Sequence, residues 1–138
     1  GKLPQHFADM FGWEEIVAET ARVYHGLSPE EQAQCVIVAP NFGTAGAIDL
    51  LGKNHGLPKA ISIHNSYHLW GPGQKSGEVA IIVGGSREEL ENFFREVKEV
   101  TLVSCEYRMA EELRIPIYLC RGIVAPLHEI WPITKWYG

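Results

Sequence analysis

The sequence lacks any long apolar run. Of its 138 residues, 46% are hydrophobic and 21% are charged, a balance that suits one globular domain with a substantial core. The longest apolar candidate, residues 79–85, has the length of a strand, whereas a helix that spans a bilayer needs about 20 apolar residues. No signal-peptide pattern is visible, and the chain begins with Gly1 rather than Met. We therefore expect residues 1–138 to form a single soluble domain, which leaves open that it was excised from a larger protein.

Clustered positive charge and paired cysteines are also scarce. Twelve basic residues stand scattered against 17 acidic ones, for a net charge of -5, which argues against nucleic acid as a partner. The three cysteines, Cys35, Cys105 and Cys120, show no CxxC spacing, which argues against structural zinc. Cys35 and Cys120 lie in apolar, strand-like runs, and we interpret both as buried thiols. An odd number of cysteines argues against a full disulfide framework.

The short signatures of several enzyme classes are missing as well. The sequence contains neither GxGxxG nor GxxxxGK[ST], the loops that bind phosphates in many nucleotide-dependent proteins. It also has no serine in a GxSxG elbow, so a hydrolase triad has no anchor. We therefore assign no catalytic residue and predict no cofactor.

Segments with helical and strand-like patterns alternate along the chain. Residues 13–27 carry apolar side chains at helical spacing between two glycines, and Ser28-Pro29, with Glu31 three residues after the serine, begins a short second helix. Further helices are predicted at 45–54 and from Ser86 to about residue 96. Apolar runs predict five strands, at 35–39, 60–63, 78–83, 97–105 and 115–120. Because several of these runs are apolar on both faces, we predict a three-layer, Rossmann-like α/β fold, with a mostly parallel sheet of about five strands and helices on both faces.

Ligands of open α/β sheets bind beyond the carboxyl ends of the strands. The first predicted strand is followed there by residues 40–46, whose candidate binding residues are Asn41, Gly43, Thr44 and Gly46. The free amides at the start of the predicted helix could bind an anion at this point, as in a nucleotide site. Against a nucleotide, the acidic residue Asp49 follows only a few positions later, on the predicted helix itself. The alternative is that the two glycines only allow the helix to pack closely on a strand.

The second predicted strand is followed by an unusually polar and aromatic segment, residues 64–73. His64 and His68 could share a metal only on a helix, but Gly71-Pro72-Gly73 disfavours a long helix and no third ligand is spaced for the role, so no metal is predicted. The segment could simply satisfy backbone groups while its aromatic residues pack on the core. The rival interpretation is a rim that binds carbohydrate through stacking area and edge donors. We favour that rim, with the candidate residues His64, Asn65, Tyr67 and Trp70.

Five short motifs follow one another along the chain, at residues 3–15, 41–48, 56–58, 64–67 and 69–72. This ordered series resembles the C-terminal extracytoplasmic part of bacterial family 39 membrane glycosyltransferases. These enzymes are similar to protein mannosyltransferases and to lipid A aminoarabinose transferases. The resemblance runs from about Leu3 to about Gly84, and more faintly to the C-terminus; the ordered set is more specific than any one motif.

The resemblance implies a multi-pass parent enzyme that transfers a sugar from a polyprenyl phosphate to an acceptor outside the cytoplasm. In that family the catalytic acidic residues and the lipid-phosphate site lie in the membrane part and its first large loop, so none carries over to this chain. The expectation is a non-catalytic domain on the periplasmic face of the bacterial inner membrane, which covers the active site or positions the acceptor. Its partners would be the membrane-embedded part of the parent chain and a sugar or glycolipid. The oxidising compartment makes a bridge between Cys105 and Cys120 conceivable.

Two other functions remain open on the sequence. One is a stand-alone α/β protein that binds a nucleotide or small metabolite at the rim, with residues 41–46 as its anion site. The other is an interaction module whose aromatic tail, with Trp131, Trp136 and Tyr137, docks on membrane-embedded helices.

Overall fold

The computed structural model describes residues 10–39, 42–58, 60–62, 78–107 and 111–124. Within these ranges the chain forms six strands and four α-helices, together with one turn of 3-10 helix. None of these helices combines the length and the apolar character that crossing a bilayer requires. In chain order the elements are β1 (Met10–Phe11), α1 (Trp13–His25), α2 (Pro29–Gln34), β2 (Cys35–Ala39), α3 (Phe42–Gly52), the 3-10 turn (Lys53–His55), β3 (Ala60–Ser62), β4 (Val79–Val83), α4 (Arg87–Leu90), β5 (Phe94–Tyr107) and β6 (Glu111–Ile123).

Helix α1 forms where its apolar spacing predicted it, with Ile16 and Val17 fully buried. It begins at Gly12, whose φ of 117° is a conformation that side chains with a Cβ rarely adopt. A Cβ at this position would also lie 3.0 Å from the sulfur of Cys105. Both facts require glycine at the junction between β1 and α1.

Helix α2 begins with the cap that the sequence predicted. The Ser28 hydroxyl accepts a hydrogen bond from the Glu31 amide at 3.2 Å, and Pro29 occupies the first turn. The Glu31 side chain takes a different partner, since its carboxylate accepts from Arg121 Nε at 2.8 Å. This contact ties α2 to β6.

The sheet has six strands, in the order β1-β5-β6-β4-β2-β3. Strand β2 runs parallel to β3 on one side and to β4 on the other. The other three ladders, β4 with β6, β6 with β5, and β5 with β1, are antiparallel. The predicted mostly parallel, Rossmann-like sheet of about five strands is therefore wrong.

The error arises after Leu90. The helix predicted to reach residue 96 ends at Leu90, and a strand begins at Phe94. Strands β5 and β6 then form one long antiparallel hairpin, and only residues 108–110 separate them in the sequence. The signal lay in the alternation at the end of β5, where Val103 and Cys105 are buried and Ser104 is exposed, a pattern typical of antiparallel strands.

The two faces of the sheet carry separate cores that share β2, β4 and β6. Helices α1 and α3 pack on the first face, around Ile37, Ile81 and Ile117. On the second face, centred on Val38 and Ile82, the only helix among the described residues is the four-residue α4. The predicted three layers with helices on both faces therefore give way to a sheet with one well-covered helical face.

The three cysteines are buried free thiols. Cys105 belongs to the first core and Cys120 to the second, so the two side chains lie on opposite faces of the sheet. Cys120 pairs across the ladder with Val97, eight residues along β5 from Cys105, or roughly 25 Å at the rise of a strand. A bridge between these two cysteines is excluded by this geometry.

Candidate functional site

The carboxyl ends of three parallel strands meet at one edge of the sheet. Because β2 pairs in parallel with both β3 and β4, the strand ends at Ala39, Ser62 and Val83 point the same way. We call this edge, defined by those three strand ends, the carboxyl edge. The chain leaves β2 toward β3 on one side and leaves β4 toward the hairpin on the other. The gap between β2 and β4 is thus a topological switch point, the place where open α/β sheets form ligand crevices.

The sequence-predicted candidates divide into two groups, those on α3 and those outside the described residues. Gly46 lies on α3 and is exposed, and Gly43 and Thr44 lie in the first turn of the same helix. The remaining candidates and the aromatic tail lie outside the described residues, and this group comprises Asn41, His64, Asn65, Tyr67, Trp70, Trp131, Trp136 and Tyr137. The histidine pair His64 and His68 also falls there.

Gly46 does not serve helix packing. A Cβ built on it would meet no atom of the described residues within 4 Å, so the interpretation that this glycine lets α3 approach one of the described strands is wrong. The close approach in this helix occurs instead at Gly52, where a Cβ would lie 3.1 Å from Leu57. The absence of a side chain at position 46 therefore leaves open space on the outer surface of α3.

Asp49, the acid closest to the predicted anion loop, points away from the carboxyl edge. Its Oδ1 accepts a hydrogen bond of 2.7 Å from the amide of Ala60, the first residue of β3. The amino end of β3 lies at the opposite end of that strand from the carboxyl edge. Asp49 thus connects α3 to β3, which weakens the nucleotide interpretation of residues 41–46.

The sequence analysis missed a double glycine at the end of β4. Gly84 and Gly85 have φ of 88° and 87°, and the Gly84 amide donates to the Pro116 carbonyl at 2.8 Å. Ser86 follows at once and caps α4 by accepting from the Glu89 amide at 3.3 Å. Two glycines directly after an apolar strand and before a capping serine are the signal that could have placed this turn in the site.

The β5–β6 hairpin extends past the carboxyl edge. The last pair of β4 joins Val83 to Ile117, so the part of β6 before Ile117 lies beyond the end of β4. It carries Arg114, which is exposed. This projecting part of β6 lies next to β4. It therefore borders the switch point on the β4 side, away from β2 and β3.

A shallow depression adjoins the same edge at α4, lined by Ser86, Glu88, Glu89 and Asn92. Its two carboxylates disfavour a phosphate at this point. Hydroxyl and amide groups beside carboxylates are suited to the hydroxyls of a sugar.

Two titratable groups whose pKa the fold raises lie in the second core. Burial raises the pKa of Tyr118, and it raises the pKa of Cys120 to about 12. Both side chains therefore stay neutral and do not act as bases. Among the described residues, no group of three or more His, Cys, Asp or Glu side chains could hold a metal ion.

Comparison of the chain with protein-family models, with curated proteins and with solved structures finds no match.

Proposed function

We propose that this chain is an accessory extracytoplasmic domain of a glycosyltransferase that uses a polyprenyl-phosphate sugar. In this proposal the domain is non-catalytic alone and lies on the periplasmic face of the bacterial inner membrane. It covers the active site of the membrane-embedded part of its parent chain or positions the acceptor there. The motif series of the sequence motivates this function.

One structural observation carries the proposal: the parallel register of β2 with β3. Two motif segments, 41–48 and 64–72, follow these two strands in sequence. Since the strands are neighbours and parallel, both segments start from the carboxyl edge, beside the Gly84-Gly85 turn. Motifs that are distant in the chain therefore originate at one rim, as a surface that positions a sugar or glycolipid requires.

A chemical-shift titration of the backbone amides tests the rim directly. Simple sugars, a short prenyl-phosphate sugar and ATP are added in separate runs. We expect a sugar compound to shift the amides of residues 41–46, 64–73 and 84–86. Absence of shifts with every sugar compound would contradict a recognition surface in the isolated chain.

Substitutions at the rim make the test specific. Asn41→Ala and Thr44→Ala should weaken the shifts. Leu50→Ala should leave them unchanged, because Leu50 is exposed on the second half of α3, away from the carboxyl edge. Equal effects of the rim variants and of this control would point to non-specific binding.

The encoding gene offers a second, independent test. The proposal requires membrane-spanning helices in the same reading frame, ahead of Gly1. A reading frame without such helices would contradict it, whatever the titration shows.

A second candidate is a stand-alone protein that binds a nucleotide or small metabolite at the same edge. The switch point between β2 and β4 favours it, because such crevices bind small ligands in many α/β proteins. Shifts at residues 41–46 with ATP alone, lost in Gly43→Val, would support this candidate instead.

A further inference from the structure

Among the described residues, most of the outer edge of β5 has no neighbouring strand. Strand β1 pairs with β5 only at Glu106 and Tyr107. Within the described part of the chain, the rest of β5, from Phe94 to Cys105, has β6 on one side alone. An edge of this kind presents amides and carbonyls that can pair with another strand.

The ladders determine which backbone groups of β5 point outward. Because the Gly84 amide bonds to the Pro116 carbonyl, even-numbered residues of β6 direct their backbone groups to β4 and odd-numbered ones to β5. The β5 residues opposite those odd positions are even-numbered as far as Lys98. The alternation does not reach Arg95, because the Phe93 carbonyl accepts from the amide of the even-numbered Val124. The outward-facing amides and carbonyls in this stretch belong to Val97 and Glu99.

When two copies of this edge run antiparallel, the charges of one are complementary to those of the other. Residues 95–99 read Arg-Glu-Val-Lys-Glu. If two copies pair antiparallel around a two-fold axis at Val97, Arg95 lies opposite Glu99 of the second copy, and Glu96 lies opposite its Lys98. Every cross-strand pair of charged residues then has opposite signs, which stabilises antiparallel pairing. A two-fold axis produces both pairs twice.

These side chains are available for such pairing. All four charged residues of the segment are exposed. Among the described ion pairs, Glu96 contacts Arg121 at 3.4 Å, and none involves Arg95, Lys98 or Glu99. At the centre, Val97 is only half-buried.

The structure also sets the limits of the contact. A register shift between Glu99 and Thr101 interrupts the regular strand, so pairing stops there. The Arg87 guanidinium donates a hydrogen bond of 2.9 Å to the Val97 carbonyl. That carbonyl has a second lone pair, and the Val97 amide remains as an outward donor.

We propose that the β5 edge, residues 95–99, pairs with the same edge of a second copy of this chain, antiparallel and centred on Val97. The Val97 amides and the charged side chains on both sides of them then form the contact. Five residues from each strand make a contact below the roughly 1,200 Å² of ordinary stable interfaces, so the dimer is weak and reversible. This inference does not depend on the proposed function.

Sedimentation velocity tests it between about 10 µM and about 1 mM, the range in which a weak dimer dissociates. We expect the wild-type chain to shift from monomer toward dimer across this range. Arg95→Glu sets two carboxylates opposite each other and should lower the association constant at least about tenfold. The double variant Arg95→Glu with Glu99→Arg restores opposite signs and should regain the wild-type value within about threefold.

Lys53→Glu is the matched control, because Lys53 is an exposed cation in the 3-10 turn, outside β5. It should leave the association unchanged, and circular dichroism confirms that each variant is folded. A wild-type chain that stays monomeric at about 1 mM overturns the proposal. So does a double variant that fails to recover, or a dimer in which the Val97 amide exchanges its hydrogen as fast as in the monomer.

Discussion

Two glycines of this chain should respond in opposite ways to an added side chain. Gly12 combines a φ of 117° with the Cys105 sulfur 3.0 Å from any added Cβ. Gly46 has open space around it within an α-helix. We therefore predict that Gly12→Ala lowers the free energy of unfolding by about 2–4 kcal/mol, whereas Gly46→Ala raises it by about 0.5–1 kcal/mol. Urea unfolding measures both.

The Cys105→Ala background separates strain from crowding at Gly12. Removing the sulfur relieves the contact but not the backbone strain, so the cost of Gly12→Ala should fall in part. An unchanged cost would show that the contact with Cys105 contributes nothing.

The ion pair between Glu31 and Arg121 should make stability depend on pH. The hydrogen bond from Arg121 is the main cause that lowers the pKa of Glu31 below its ordinary value of 4.5. The folded carboxylate thus holds a proton less readily than the unfolded one, so its contribution is present above pH 4.5 and is lost as the pH falls through the lower folded value. Because both side chains are about one-third exposed, we expect Glu31→Gln to cost about 0.5–1 kcal/mol at pH 7.

Unfolding at pH 7 and pH 3 measures this effect, and Glu30→Gln is the control. Glu30 lies in the same first turn of α2 and is exposed. The difference between the two variants should be smaller at pH 3 than at pH 7, because the Glu31 carboxylate gains its proton as the pH falls. A difference of equal size at both pH values would assign the stabilisation to packing of the side chain rather than to its charge.

At the scale of elements, one hydrogen bond joins α3 to β3. Asp49→Ala leaves the Ala60 amide without its acceptor in a partly buried position, which should cost about 1–3 kcal/mol of unfolding free energy. Asp49→Asn keeps an acceptor oxygen and should cost clearly less. Hydrogen exchange at the Ala60 amide should quicken in the alanine variant, and equal rates in both variants would contradict the bond.

Local patterns predicted most elements up to Leu90. Periodicity placed α1, and the serine caps placed the starts of α2 and α4, because a cap depends on residues adjacent in sequence. The sheet order could not be predicted in this way. A strand that is apolar on both faces, such as β4, fits a parallel or an antiparallel neighbour equally well, and in this protein it has one of each.

The candidate site was predictable only where its residues follow strands. The rule that ligands lie beyond strand ends located the segment after β2, and the observed register joins it to the ends of β3 and β4. Gly84 also follows a strand, so the same rule could have located it, but its hydrogen bond to Pro116, which is 32 residues away in the sequence, could not be read from local spacing. The role of Asp49 likewise depends on a contact with β3 that spacing along α3 does not reveal.

At the scale of the molecule, the two cores are the opposite sides of the same strands. Ile81 is buried in the first core and Ile82, its neighbour in β4, in the second. Because both cores contain side chains of β4, unfolding of this strand disrupts both cores at once. This arrangement favours one cooperative unfolding transition over two independent ones.

We accordingly predict that Ile81→Val and Ile82→Val each lower the free energy of unfolding by about 0.5–1.5 kcal/mol without splitting the transition. Near-UV and far-UV circular dichroism should report the same midpoint for each variant. In native-state hydrogen exchange, Ile81→Val should lower the protection of the slowest-exchanging amides around Val38, in the second core. The decrease should equal that of the amides around Ile37, in the first core. Leu102→Ala is the control, because this exposed residue of β5 belongs to neither core. Amides of one face that open at lower denaturant than those of the other would show that the two cores unfold separately.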